Sequence, residues 1–194
     1  MEFIDRITLY DFLYDDEYRA EYILDSNKKH TLAHQLTQAV NYLHKKLTPI
    51  IQRDIKPENI MITKHWSLKL VDLGLSKCLT SVGASRTTVG TTLKGTAPYM
   101  PPEMVLHYDD ASVFSDIWAV GCTIAEMYTE SPVWELDEDY EVRLKEKMLD
   151  HEIPNFDAIP EELKESLEDY FKYIPQERSL SLLMCTFSNI LCRV

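Results

Sequence analysis

The sequence predicts a mainly α fold with one small β feature, and three observations carry that prediction. Residues 31–47 place Leu32, Leu36, Ala39, Val40, Leu43 and Leu47 on one stripe at helical spacing. Residues 113–128 are apolar nearly all round, through Val113, Phe114, Ile117, Trp118, Val120, Ile124, Ala125 and Met127, which suits a helix at the centre of a core. Only two short segments, 60–63 and 68–71, have the composition of strands. Lys64, His65, Trp66 and Ser67 separate them, so together they read as one hairpin.

The remaining elements follow in order. Pro49 ends the helix over 31–47. Residues 76–95 are rich in Ser, Thr and Gly and poor in large apolar side chains, which predicts a long loop of the kind that usually carries function. Residues 137–150 and 161–173 read as charged, amphipathic surface helices, with Pro132, Pro154, Pro160 and Pro175 at the joins. A last helix is predicted over 178–191. No internal repeat interrupts the pattern.

The chain has 194 residues, the length of one domain or of one large lobe of something bigger. Hydrophobic residues make up 45% and charged residues 27%, as in a globular protein, which excludes disorder as the main state. The formal charge is −12. A surface that acidic repels phosphate backbones and anionic lipid, so neither nucleic acid nor a membrane is expected as a partner. The four cysteines, Cys78, Cys122, Cys185 and Cys192, form no Cys-x-x-Cys pair and read as reduced thiols in an intracellular protein. The N-terminus is acidic and alternating, unlike a signal peptide. The longest apolar stretch, 117–128, contains Glu126 and falls short of the about 20 residues a membrane span needs. The expectation is a soluble, cytoplasmic protein, with the nucleus left open.

The chemistry gathers in one ordered set. Asp54 is followed two residues later by Lys56 and five residues later by Asn59, and thirteen residues beyond Asn59 stands Asp72. A carboxylate that orients a hydroxyl, an ammonium that offsets developing charge, and an Asn–Asp pair of hard oxygen ligands for Mg²⁺ are what phosphoryl transfer requires.

With these residues the chain resembles the eukaryotic protein kinases, whose motif set is well described. Gln52-Arg53-Asp54 stands for the family's H-R-D, Asp72-Leu73-Gly74 for D-F-G, and Pro101-Pro102-Glu103 for A-P-E. Asp116-Ile117-Trp118-Ala119-Val120-Gly121 matches the D-x-W-x-x-G core helix, and Pro175-Gln176-Glu177-Arg178 the late arginine segment. The resemblance covers almost the whole chain and implies a kinase-like C-lobe, helical with a small β-hairpin. It implies that Asp54 is the catalytic base, that Lys56 reaches the γ-phosphate of ATP, and that Asn59 and Asp72 hold Mg²⁺. Thr96 would contact the catalytic loop near the substrate. Asp116 would fasten that loop through its backbone N–H groups, and Glu103 with Arg178 would be a structural ion pair. Lys56 and the Gly95-Thr96 segment look like the serine/threonine branch. Arg53 would bind a phosphate placed on Thr88, Thr91 or Thr92, or on neighbouring Thr87, which orders the loop.

By the same resemblance, Met1-Glu2-Phe3-Ile4 looks like the hinge between kinase lobes, with Glu2 and Ile4 at the nucleotide, and residues 8–13 look like the first short helix of the large lobe. No Gly-x-Gly-x-x-Gly occurs; the five glycines all follow residue 73. The expected organisation is therefore hinge and C-lobe over 1–194, without the N-lobe's Gly-rich loop and lysine, and with no turnover by this piece alone. Gln52 replaces the usual His and Leu73 the usual Phe. Glu58, with the net negative charge, points to a protein substrate with basic residues near the phosphoacceptor. His30 and His34 lack a third ligand for a metal, and the acidic clusters at 15–17, 109–110 and 137–139 read as solvated surface. Two functions are thus expected: a protein serine/threonine kinase using ATP and Mg²⁺, or, as the alternative, a pseudokinase or interaction module that docks a partner without catalysis.

Overall fold

The computed structural model describes residues 7–71, 77–78, 96–136, 139–155 and 157–180. Helix α1 (Leu9–Tyr14) opens on a reciprocal cap: Thr8 Oγ1 accepts the Asp11 N–H while the Asp11 carboxylate accepts the Thr8 N–H. It buries Leu9, Phe12 and Leu13. Helix α2 (Asp16–Glu21) follows at once because Asp15 accepts the N–H groups of Glu17 and Tyr18. One carboxylate of the acidic cluster at 15–17 is thus a cap.

Helix α3 (Ser26–His44) begins earlier than the apolar stripe suggests, since Asp25 caps it through the Lys28 N–H. Leu32, Leu36 and Val40 are buried, while the helix ends before Leu47, which is exposed. The hairpin is present as β2 (Ile60–Ile62) and β3 (Leu68–Leu70), antiparallel with Ile60 opposite Leu70. Gln35 of α3 holds it from one side, donating to the Trp66 carbonyl and accepting the Leu68 N–H. A second antiparallel pair, β1 (Ile50–Ile51) with β4 (Lys77–Cys78), had no sequence signal, because two-residue strands far apart in the chain have no periodicity to read.

Helix α4 (Pro102–His107) leads to helix α5 (Val113–Thr129), in which every residue from Ser115 to Tyr128 is buried. The other elements pack around α5: α3, β1, and the 3₁₀ turns Ala97–Tyr99, Asp169–Phe171 and Pro175–Glu177. At Gly121 an added Cβ would lie 3.0 Å from the Phe171 ring and from Tyr170 Cβ, so only glycine lets the Asp169–Phe171 turn come this close. Helix α6 (Tyr140–Leu149) buries Leu144 and Met148, and helix α7 (Glu161–Glu168) buries Leu163, Ser166 and Leu167. The segment predicted as one helix over 161–173 is split. Its last turn tightens to 3₁₀ over Asp169–Phe171, which turns Tyr170 and Phe171 into the core. The helix predicted over 178–191 lies outside the described residues except for 178–180, as does the predicted loop except for 77–78. Among the described residues no helix is long and apolar enough to cross a membrane. Cys122 is buried and free.

Candidate active site

The segment from Gln52 to Asn59 joins β1 to β2, and three elements hold it. Beneath it lies Asp116 in the first turn of α5, only 1% exposed. Its Oδ2 accepts the Gln52 N–H and its Oδ1 the Arg53 N–H, both at 2.9 Å. His44, the last residue of α3, places Nε2 2.9 Å from the same Oδ2. Two backbone donors converge on one buried carboxylate, where charge-assisted bonds are strongest. They hold Arg53 at φ 75°, a left-handed conformation that costs a side chain of this size on the order of 1–3 kcal/mol.

Above the turn, four side chains interlock. Asp54 Oδ1 accepts the Thr96 hydroxyl at 2.8 Å. Asp54 Oδ2 accepts Asn59 Nδ2 at 2.8 Å and pairs with Lys56 Nζ at 3.1 Å. Lys56 Nζ also donates to Thr96 Oγ1 at 2.6 Å, so that hydroxyl receives one proton and gives another. Asn59 Nδ2 makes a further bond to the Asp54 carbonyl, which closes the 3₁₀ turn Pro57–Asn59 against the carboxylate. An ionised carboxylate can accept about four hydrogen bonds. Among the described residues, the bonds from Thr96 and Asn59 and the ion pair with Lys56 leave the Asp54 carboxylate capacity for a further donor. Among the described residues both hydrogen bonds of the Asn59 side chain use Nδ2, which leaves its Oδ1 open to a hard cation. That oxygen suits the magnesium of a bound nucleotide, which Asn59 would help to hold.

Glu58 is exposed beside this group. Arg53 is half-buried, and its Nε has no partner among the described residues. Asp72, Glu2, Ile4, Thr88, Thr91 and Thr92 lie outside the described residues. Further off, Glu103 and Arg178 meet across two bonds of 2.7 Å.

Two features had escaped the sequence reading. The first is His44 on Asp116, a pairing across 72 positions that no local pattern signals. The second is Glu126 in α5, 3% exposed, whose Oε1 accepts the Tyr14 hydroxyl and whose Oε2 accepts the Tyr99 hydroxyl, each at 2.6 Å. Burial pushes the Glu126 carboxyl above the usual carboxylate range, the two tyrosine hydroxyls pull it back, and the charge of Glu58 adds to the rise. Burial likewise drives the Tyr99 and Tyr14 hydroxyls upward, with Glu126 adding to it. The one sequence signal was a lone acid in an otherwise apolar helix. Through it, α1 and the Ala97–Tyr99 turn are tied to the central helix.

A family model described as a protein kinase domain matches residues 1–187. A cyclin-dependent kinase 4 homolog of Caenorhabditis elegans is 39% identical over 111 residues, covering 57% of this chain and 25% of that protein. The mitogen-activated protein kinase KSS1 of Saccharomyces cerevisiae is 36% identical over 104 residues, covering 52% of this chain and 28% of that protein. Aurora kinase C of Mus musculus is 26% identical over 191 residues, covering 89% of this chain and 64% of that protein. The chain therefore spans about a quarter of the first two relatives and less than two thirds of the third.

Proposed function

The chain belongs to the protein kinase family, and from that premise we propose that it is the hinge and large lobe of a protein serine/threonine kinase, which moves the γ-phosphate of ATP to a Ser or Thr hydroxyl of a protein. The observation that carries this reading is the Thr96 hydroxyl bonded at once to Asp54 and Lys56. It ties the segment before the Pro-Pro-Glu motif to the catalytic loop and leaves the base with room for an incoming hydroxyl.

In this reading each residue has one task. Asp54 accepts the hydrogen bond of the substrate hydroxyl and orients its oxygen for in-line attack. Lys56, 3.1 Å from that carboxylate, sets a positive charge where the transferred group gathers negative charge. Asn59 and Asp72 would hold the metal, which neutralises phosphate charge when bound with the nucleotide. Glu2 and Ile4 would meet the nucleotide from the hinge, and Arg53 would receive a phosphate from Thr88, Thr91 or Thr92. Glu58, exposed and close enough to act electrostatically on Glu126, suits a basic residue near the phosphoacceptor.

The 194 residues contain no Gly-x-Gly-x-x-Gly. In the family that loop and a strand lysine cover the phosphates, so the test uses the longest natural form of the protein. Incubated with labelled ATP, Mg²⁺ and a Ser/Thr peptide array, it should transfer label preferentially to peptides with Arg or Lys near the acceptor. Asp54→Asn should abolish the transfer. Nucleotide and partner binding without any transfer would favour the docking module instead.

A further inference from the structure

Gln52 stands where the family carries His, and it has no solvent exposure. Its Oε1 accepts the backbone N–H of Asp54 at 2.7 Å, while its own backbone N–H is held by Asp116 Oδ2. Between them, Arg53 at φ 75° gives its N–H to Asp116 Oδ1. Three consecutive backbone donors are therefore each captured by a side-chain oxygen, the first two by Asp116 and the third by Gln52.

The Gln52 bond reaches from a side chain to the N–H two residues on. That is the pattern by which Asn and Asp shape tight turns, here made with one more carbon. It acts on the residue whose direction matters most. Once the plane of the 53–54 peptide is fixed, so are the N–Cα bond of Asp54 and the position of its Cα, the point from which the side chain departs. Thr96, Asn59 and Lys56 constrain the far end of the side chain; Gln52 constrains its root. A carboxamide oxygen does this without adding charge between the carboxylates of Asp54 and Asp116. An apolar residue of the same size would leave a part-buried N–H without this acceptor, beside a strained residue.

We propose that Gln52 is a positioning residue, holding the backbone of Asp54 so that its carboxylate meets the substrate hydroxyl; this rests on the reading of Asp54 as the base. Two measurements test it. The first is backbone amide exchange by NMR on this chain, in which the Asp54 N–H should exchange at least about tenfold more slowly than a free amide. The second is phosphotransfer kinetics on the longest natural form. A displaced base loses on the order of 10²-fold in rate, so Gln52→Met, which keeps length and burial without an acceptor, should lower kcat about 10–100-fold. Its KM for ATP should stay within about twofold, and its Asp54 amide should exchange faster. Gln52→Asn, which makes the ordinary tight-turn bond to the N–H two residues on, should recover most of both losses.

An Asp54 amide in the wild-type chain that exchanges like a free one overturns the proposal, whether or not Gln52→Met folds. So do equal losses in the Met and Asn variants, or a rise in KM at constant kcat. Absence of transfer by the wild-type long form instead overturns the reading of Asp54, and amide exchange still decides whether Gln52 holds it.

Discussion

Arg178 grips Glu103 with both ends of its guanidinium, Nη1 to Oε1 and Nη2 to Oε2, each at 2.7 Å, and its side chain has no solvent exposure. The same guanidinium donates to the carbonyls of Lys172 and Phe114 and lies 5.0 Å from the Trp118 ring centroid. One side chain thus ties α4, α5 and the segment after Asp169–Phe171 together. A buried pair is costly to break because the surviving charge has nowhere to go. Glu103→Ala should cost about 3–5 kcal/mol in urea unfolding. Removing both charges, as Glu103→Leu with Arg178→Met, should cost less than the single change. A single variant no less stable than wild type would show that the pair does not hold these elements together.

Thr96 should behave as a hinge pin between Lys56 and Asp54. Thr96→Val keeps the shape and removes both bonds. Bonds to charged groups contribute about 1.5–3 kcal/mol each, so phosphotransfer by the longest natural form should fall about 10–100-fold. Thr96→Ser should restore most of it. Equal rates for Val and wild type would leave the hydroxyl without a catalytic part.

Glu126 sets a pH dependence whose sign can be worked out. Its carboxyl titrates above the usual range in the folded chain, burial being the largest cause. Between the ordinary carboxylate range and that raised value, the folded state holds a proton that the unfolded state has released, so stability falls as pH rises. The contribution is complete below the unfolded value and lost once pH passes the folded one. Glu126→Gln, which can still bond both Tyr14 and Tyr99, should lack this slope. In urea titrations from pH 4 to pH 8 the variant should gain on the wild type as pH rises. A constant difference across that range would refute the assignment.

Gly121 should not tolerate a side chain. Alanine there would press on Tyr170 Cβ, which no rotamer change can move aside, as well as on the Phe171 ring, both at 3.0 Å. Overpacking of this kind costs about 1–3 kcal/mol. Thermal unfolding of Gly121→Ala should show it as a lower Tm, and an unchanged Tm would mean that the Asp169–Phe171 turn yields freely.

Sequence by itself determined the mainly α class, the central helix over α5 and the hairpin of β2 and β3, because each rests on contacts within a few residues and so leaves a period or a turn in the chain. It also determined that Asp54, Lys56 and Asn59 lie within one short turn, since five residues leave little room to separate them. Only the tertiary structure decided what holds that turn. The Thr96 hydroxyl between Lys56 and Asp54, His44 on Asp116, and Tyr14 and Tyr99 on Glu126 join positions 27 to 112 residues apart. Gln52 shows the same division within two residues. Its identity reads as a departure from a motif, and its bond to Asp54 spans a backbone turn that Asp116, on a distant helix, holds from below. Local periodicity records which face of an element is buried. Which polar groups then meet is settled when the elements pack and most buried donors must find an acceptor.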